Sequence, residues 1–469
     1  MGTMGPRRRM GAMVGALAVM AAGLTACSGA SSTGGGGGGG SGAPGVTATS
    51  IQVGALTAET GPLSSGFGEI VDGVRAYFDM VNAEGGVDGR KLVLADVADD
   101  TGSATVDNEM ARELVSKDHV FAIVGVGTPA FSAASYLART GTPTFGDVVS
   151  TNWADAPNLF GTYGSVLDYA SDATAVAWMA KQIGARAVAV MAYAGVPASE
   201  DACRADAAGL GAAGIGVPVQ DYSFSPGASP ADEVFAMATQ HVQLLVSCLE
   251  GPDNLAFAKE MKQYKLASAD ALWLDGYSRT LVAQDASAMA NVYFLFQHVP
   301  FEAADDYPDD YPGMVAYIQA MEKYEPQWTY DGTAIQGWIN AAQFVAGLRA
   351  VGHGTLTQRA LVDAINSETA FTAGGLMPPV NWTTAHTKAV PPFCSSFSLA
   401  YQGSTVPALV RQGGQVMTCF NGKVANPVAD PAGTPGANLA RSAGSVKAPT
   451  KVPTKVPGKG SVKGSTKGP

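Results

Sequence analysis

The sequence predicts an α/β protein made of two doubly wound lobes with parallel sheets. Two observations carry this. Short apolar runs alternate with segments of helical period, which is the signature of repeated βα units and of strands buried on both faces. The alternation also runs through one set of repeats and restarts after residue 165, which implies two similar lobes. At 469 residues, with 46% hydrophobic and 15% charged residues, the chain is long enough for two large cores and too apolar for global disorder.

In the first set, IQVGAL (51–56) leads into a helix with Phe67, Ile70, Val71, Val74, Tyr77, Phe78 and Val81 on one face, stopped by Gly85-Gly86. KLVLADV, a helix near 103–117, FAIVGV, a helix near 130–139 and TPTFGDV follow. In the second set the order is a helix to about 183, AVAVMAY, a helix near 199–213, PVQDYSF, a helix near 230–240, LLVSC, a helix near 253–265, ALWLD, a short helix and NVYFLF. Helices near 310–323, 331–350 and 356–367 precede a Pro-rich β segment ending at about 427.

The flanks have a different composition. Arg7, Arg8 and Arg9 precede an apolar run, Met10 to Leu24, and then Leu24-Thr25-Ala26-Cys27. That order predicts a secretory signal over 1–26 whose end resembles the bacterial lipobox, with Cys27 lipidated; an ordinary signal peptide is the alternative. Residues 27–47, with seven consecutive glycines, predict a flexible linker. Residues 428–469 are rich in Pro and Lys, with six lysines at intervals of four from Lys447 to Lys467. Interleaved prolines forbid a helix there, so a disordered arm is expected. If the arm binds anything, anionic cell-wall polymers or lipid headgroups suit its charge.

The formal net charge of −11 hides an acidic body, because the two ends hold ten positive charges and no acid, leaving about −21 for residues 27–430. That balance argues against nucleic acid as a partner. With Cys27 set aside, Cys203, Cys248, Cys394 and Cys419 are an even set in an oxidising compartment, and spacing alone allows three pairings. No metal site and no cofactor is expected, since there is no C-x-x-C pair and the five histidines are scattered.

Four stretches, LTAETGPLSSGFGEIVDGVRAYFDMVNAEGGVDGRKLVLADVADDT (56–101), FAIVGVGTPAFSAAS (121–135), GTPTFG (141–146) and YDGTAIQGWINAAQFVAGLRAVG (330–352), resemble the type I periplasmic binding proteins of branched-chain amino acid and amide ABC transporters. The resemblance covers about 48–425 and weakens after 370. It implies two Rossmann-like lobes, 48–163 plus 299–368 and 164–298 plus 369–427, joined by a three-segment hinge, with a small ligand in the cleft and ABC permease subunits as partners. It implies no catalysis, and an extracytoplasmic receptor anchored to the membrane by its N-terminal lipid. If the second lobe orders its strands 2-1-3, Cys203 can bridge to Cys248; Cys394 and Cys419 then pair across the closing β segment.

Ligands of open parallel sheets sit beyond the carboxyl ends of the strands, and the candidate residues follow from that. Thr128, with a helix starting at Pro129, suits a ligand carboxylate. Ser150 matches the position where amino-acid binders of the family place a hydroxyl, and Val148 offers backbone groups. Ser64 and Ser65 precede the first helix and are contacts or caps. Phe131 and Tyr193 are contacts or core. Glu250, Asp275 and Tyr277 lie at strand ends of the second lobe; the two acids are contacts or turn residues. An amino group needs a carboxylate, so Asp147, Glu250 and Asp275 compete for it. The expected ligand is a branched-chain or other neutral amino acid, with amides behind. A ligand-sensing or wall-associated surface protein on the same fold is one alternative. An exported dinucleotide-binding enzyme is another, because Gly125-Val126-Gly127-Thr128-Pro129-Ala130 reads G-x-G-x-x-A with Asp147 about twenty residues on. No G-x-S-x-G or H-E-x-x-H motif supports a hydrolase.

Overall fold

The computed structural model describes residues 43–420 except 265, 267–268, 391–392 and 411–413. The signal segment with Cys27, residues 27–42 of the linker and the tail 428–469 lie outside the described residues. Among those described, no helix is long and apolar enough to cross a membrane.

The first half of the chain builds β1 (Ser50–Thr57), α1 (Ile70–Ala83), β2 (Lys91–Asp99), α2 (Ala104–Ser116), β3 (Ala122–Gly127), α3 (Ala134–Thr140), β4 (Thr144–Gly146) and β5 (Leu159–Gly161). Its sheet runs β2-β1-β3-β4-β5, parallel throughout. The second half builds α4 (Tyr169–Gln182), β6 (Ala187–Tyr193), α5 (Pro197–Ala212), β7 (Gly216–Phe224), α6 (Ala231–Thr239), β8 (Leu244–Ser247), α7 (Gly251–Gln263), β9 (Asp270–Trp273), α8 (Arg279–Gln284) and β10 (Val292–Phe296). These strands take the order β7-β6-β8-β9-β10, again parallel. Numbered within each half, both sheets read 2-1-3-4-5, so the two halves are topological copies.

The chain then returns. Helices α9 (Glu302–Asp306), α10 (Pro312–Tyr324), α11 (Gly332–Val351) and α12 (Gln358–Ile365) follow β10, and α10 and α11 pack on α1 while α11 covers β3 and β4. It returns once more as β11 (Phe393–Tyr401), antiparallel to β10, with β12 (Ser404–Ala408) and β13 (Met417–Phe420) both paired to β11. The backbone therefore passes between the sheets three times: from β5 to α4, from β10 to α10, and from α12 to β11.

Burial explains why each run folds as it does. All six residues of β3 and all four of β8 are buried, as strands covered by helices on both faces must be. The edge strands β2 and β7 are mostly exposed or half-buried instead, with only Leu92 and Ala98 of β2 and Phe224 of β7 buried. Asn82 ties the end of α1 to β2 with paired bonds, Nδ2 to Leu92 O and Leu92 N to Oδ1, each 2.8 Å. Thr60 donates to Asp99 at 2.6 Å, and Asp99 accepts from Thr101 N at 2.9 Å. The signature residues of the first stretch thus fix loop tips. The disulfides are Cys203–Cys248, joining α5 to the residue after β8, and Cys394–Cys419, opposite one another in the β11–β13 pair.

Helix α11 is apolar almost all round and buried along most of its length, which suits a helix enclosed in a core. Its crossing with α1 is backbone to backbone. A Cβ on Gly73 would lie 1.8 Å from Ala334 O, and one on Gly337 would lie 1.7 Å from Ile70 O. Gly211 of α5 has open space at its Cβ position. Gly337→Ala is therefore expected to destabilise by about 1–3 kcal/mol through overpacking. Gly211→Ala is expected to stabilise by roughly 0.5–1 kcal/mol through helix propensity. Urea unfolding of the two variants checks the contrast, and equal effects would refute the close crossing.

Candidate functional site

The carboxyl ends of both sheets border one cavity of 360 Å³. The first half supplies the turn after β1 (Leu63, Gly66, Phe67) and the loops after β4 and β5 (Asp147, Val148, Tyr163). The second supplies the loops after β6, β8 and β9 (Tyr193, Glu250, Trp273, Asp275, Tyr277), and Gln336 reaches in from α11. Ser65 spans the gap: its hydroxyl bonds the Glu250 carboxyl. Gly66 leaves no room beside it, since a Cβ there would stand 2.7 Å from Asp275 Oδ2 and 3.1 Å from Glu250 Oε1.

Six of the eleven residues singled out from sequence line the cavity: Asp147, Val148, Tyr193, Glu250, Asp275 and Tyr277. Both tyrosines spend their hydroxyls within the protein, Tyr193 inside the second half and Tyr277 on the segment that follows β10. Tyr193 Oη donates to Asp253 at 2.6 Å and accepts from Glu250 N, while Tyr277 Oη donates to Glu302 at 2.7 Å and accepts from Phe301 N. Their rings are what they present to the space. Ser64, Ser65, Thr128, Phe131 and Ser150 are not lining residues. Phe131 is buried against Trp153, with ring centroids 4.4 Å apart, and Thr128 is buried, its Oγ1 accepting from Ala130 N at 3.4 Å.

One expectation is corrected here. No helix starts at Pro129: α3 begins at Ala134, after a turn over 128–133. The cause is Asp107 on α2, whose carboxylate accepts from Ala133 N at 2.6 Å and from Ser132 Oγ at 2.9 Å. The amide at the start of α3 is therefore answered by the protein itself rather than left for a ligand carboxylate. The G-x-G-x-x-A run has a packing role as well. Gly127 sits where a Cβ would be 2.9 Å from both Phe67 O and Thr57 Oγ1, and Gly125 faces Val74 and Ala55. Its glycines serve a helix-to-sheet contact rather than a turn opening into a helix.

The electrostatics are one-sided. Asp147, Asp168, Asp172, Asp206, Glu250 and Asp275 line the cavity, and among the described residues no lysine or arginine does. Burial, reinforced by Asp275, pushes Glu250 up to about 8 and Asp147 up to about 6. Burial alone raises Asp275 to about 6; burial with Asp168 nearby raises Asp172 to about 7. Asp206 is driven well above the usual carboxylate range by burial and then by Asp172. His298, also at the wall, is held down to about 4 by burial, so it is neutral. Asp172, Asp206 and Gln336 were not singled out from sequence. A signal did exist for Asp206: Ser199, Cys203, Asp206 and Leu210 recur at helical spacing and form the buried face of α5.

Each raised carboxyl binds protons more tightly in the folded chain than in the unfolded one, so its stabilisation is lost as pH rises through the folded value. His298 and His386, both lowered to about 4 by burial, oppose this only below about pH 6.5, the unfolded histidine value. From about pH 8.5 down to about 6.5 the carboxyls act alone, chiefly Glu250 and Asp172. The unliganded protein is therefore expected to melt at a higher temperature at the lower end of that window. A Tm that is flat or falls as pH is lowered across it contradicts the buried, uncompensated charge.

The comparisons agree with this geometry. The family model described as periplasmic binding protein matches residues 50–394. No curated protein matches the sequence. Among solved structures, the fatty acid ABC transporter substrate-binding protein from Thermomonospora curvata is similar, with 21% identity and a TM-score of 0.65 over 81% of this chain and 94% of that one. A solute-binding protein from R. palustris in complex with benzoate shares 18% identity and a TM-score of 0.63 over 80% and 99%. A leucine-binding protein from Thermotoga maritima shares 14% identity and a TM-score of 0.62 over 76% and 97%. With most of the body matched by the family model and both halves folded alike, the chain belongs to the periplasmic binding protein family and has the type I fold of ABC-transporter substrate-binding proteins.

Proposed function

We propose that this protein is the extracytoplasmic receptor of an ABC importer, capturing a small polar solute with an amino group between its two lobes. Branched-chain and other neutral amino acids are the starting class. The observation that carries the reading is the cavity itself, walled by strand ends of both sheets and bridged by Ser65 and Glu250. A solute held from both sides favours the closed arrangement only as far as it binds that form better than the open one. The moving bodies are 48–163 plus 299–368 and 164–298 plus 369–427, turning about the three crossing segments. The carboxylates favour an amino group; the similar proteins for a fatty acid, benzoate and leucine show how far ligands vary on this fold.

The test is a thermal-shift panel of amino acids, amides, amines and carboxylates on the full-length protein, followed by small-angle scattering with the solute that binds. A binder is expected to add about 2.7 kcal/mol of stability at a hundredfold excess over Kd and to reduce the radius of gyration. A panel without any response, or a solute chemically converted by the protein, overturns the reading.

The same proposal places the receptor at the membrane through a lipid on Cys27. In cells fed labelled palmitate, the chain is expected to take up label and Cys27→Ala to lose it. Labelling that survives the substitution contradicts the anchor.

A further inference from the structure

The charge balance of the cavity narrows the solute class, given the receptor reading above. A zwitterionic amino acid needs a pole for each of its two charges. The wall has two groups of acids able to pair with a cation and, among the described residues, no positive side chain, its histidine being neutral. Glu250, Asp275 and Asp147 form one group, tied through Gly66 and mutual repulsion. Asp172 and Asp206 form the other, from α4 and α5. Helices α4, α5 and α11 also begin at this wall; Asp168 and Asp331 cap α4 and α11, α5 has no side-chain cap, and a helix end offers only partial charge. Arg279, two residues past the lining residue Tyr277, is held by Glu302 at 3.7 Å and Asp305 at 2.9 Å.

A second, independent observation points to a ligand that donates hydrogen bonds. Asp206 is only 2% exposed, yet it meets no donor among the described residues. Its one polar contact is Cys248 Sγ at 4.0 Å, and that sulfur is bonded to Cys203 and carries no hydrogen. The same disulfide rules out a metal site from Cys203, Asp206 and Cys248, although their ligand atoms cluster within 4.8 Å. Gln336 Oε1 is likewise buried without a partner. A buried carboxyl with no donor is costly, and the cost falls when a cation or a strong donor is brought to it. Much of the remaining wall is apolar or aromatic, with Phe67, Tyr163, Val176 and Trp273 among it, beside a few neutral polar groups such as Ser171, Gln297 and Thr333.

We infer that the cleft is built for a small organic cation: an amine without a carboxylate, its ammonium held by the carboxylates and its carbon skeleton against the aromatic wall. Two separate acidic groups favour a diamine over a monoamine.

Titration calorimetry of the full-length protein at neutral pH tests this with 1,5-diaminopentane, phenethylamine, leucine, valeramide and benzoate. The amines are expected to bind, the diamine more tightly, and leucine and benzoate at least tenfold more weakly. Asp206→Asn, which keeps the shape and removes the charge, is expected to raise the melting temperature of the free protein and weaken the diamine about tenfold or more. Asp172→Asn is the second variant, with the same two expected directions. Tighter binding of leucine, valeramide or benzoate than of either amine overturns the inference and leaves the receptor reading standing. Amine binding that is indifferent to both substitutions also overturns it. No heat with any of the five, together with a silent thermal-shift panel, removes both readings.

Discussion

Acidic groups buried without a counter-charge in the gap between the two sheets are the constraint on which the rest of the structure turns. A carboxylate removed from water needs a cation or several donors. Asp206 has neither among the described residues, and Asp172, Glu250 and Asp275 crowd the same space. Residues chosen for stability alone would be apolar here, like the alanines that surround Asp206 on α5. Acids in this place are a standing cost to the folded chain, and binding a complementary solute offsets it.

The scaffold holds those acids against that cost. Repeating one 2-1-3-4-5 topology brings two sets of strand ends to a common gap. Behind the gap the packing is tight: α11 lies backbone to backbone on α1, and Phe344 meets Phe78, Phe121 and Phe145 in the first core. On the other side, Trp178 packs on Phe397 and Phe420. The Cys203–Cys248 disulfide fixes α5 to the end of β8 and so holds the helix turn that carries Asp206 against the sheet. Rigid walls and a few movable crossings are what a hinged receptor requires.

Much of the fold was legible in the sequence because buried parallel strands are continuous apolar runs bounded by turn residues; AVAVMAY is a strand at the residues read. The three-residue β5 escaped notice, since Leu159-Phe160-Gly161 is too short to show any period. The site was legible only in part. Loop acids at strand ends, Asp147, Glu250 and Asp275, follow from the rule about carboxyl ends. Asp172 and Asp206 sit inside helices, where an acid ordinarily faces water, and only tertiary packing turns them inward. Thr128 misled for a related reason: whether a helix start is free depends on a partner far away in sequence, here Asp107.

The central claim is that a cation completes this cavity, and proton linkage measures it most directly. An ammonium placed beside half-protonated carboxyls lowers their pKa and expels protons, whereas an anion draws protons in. Binding heats for one amine, recorded at about pH 6.5 in buffers of different ionisation enthalpy, count the protons exchanged. The account requires net release. Net uptake, or no exchange at all, contradicts it.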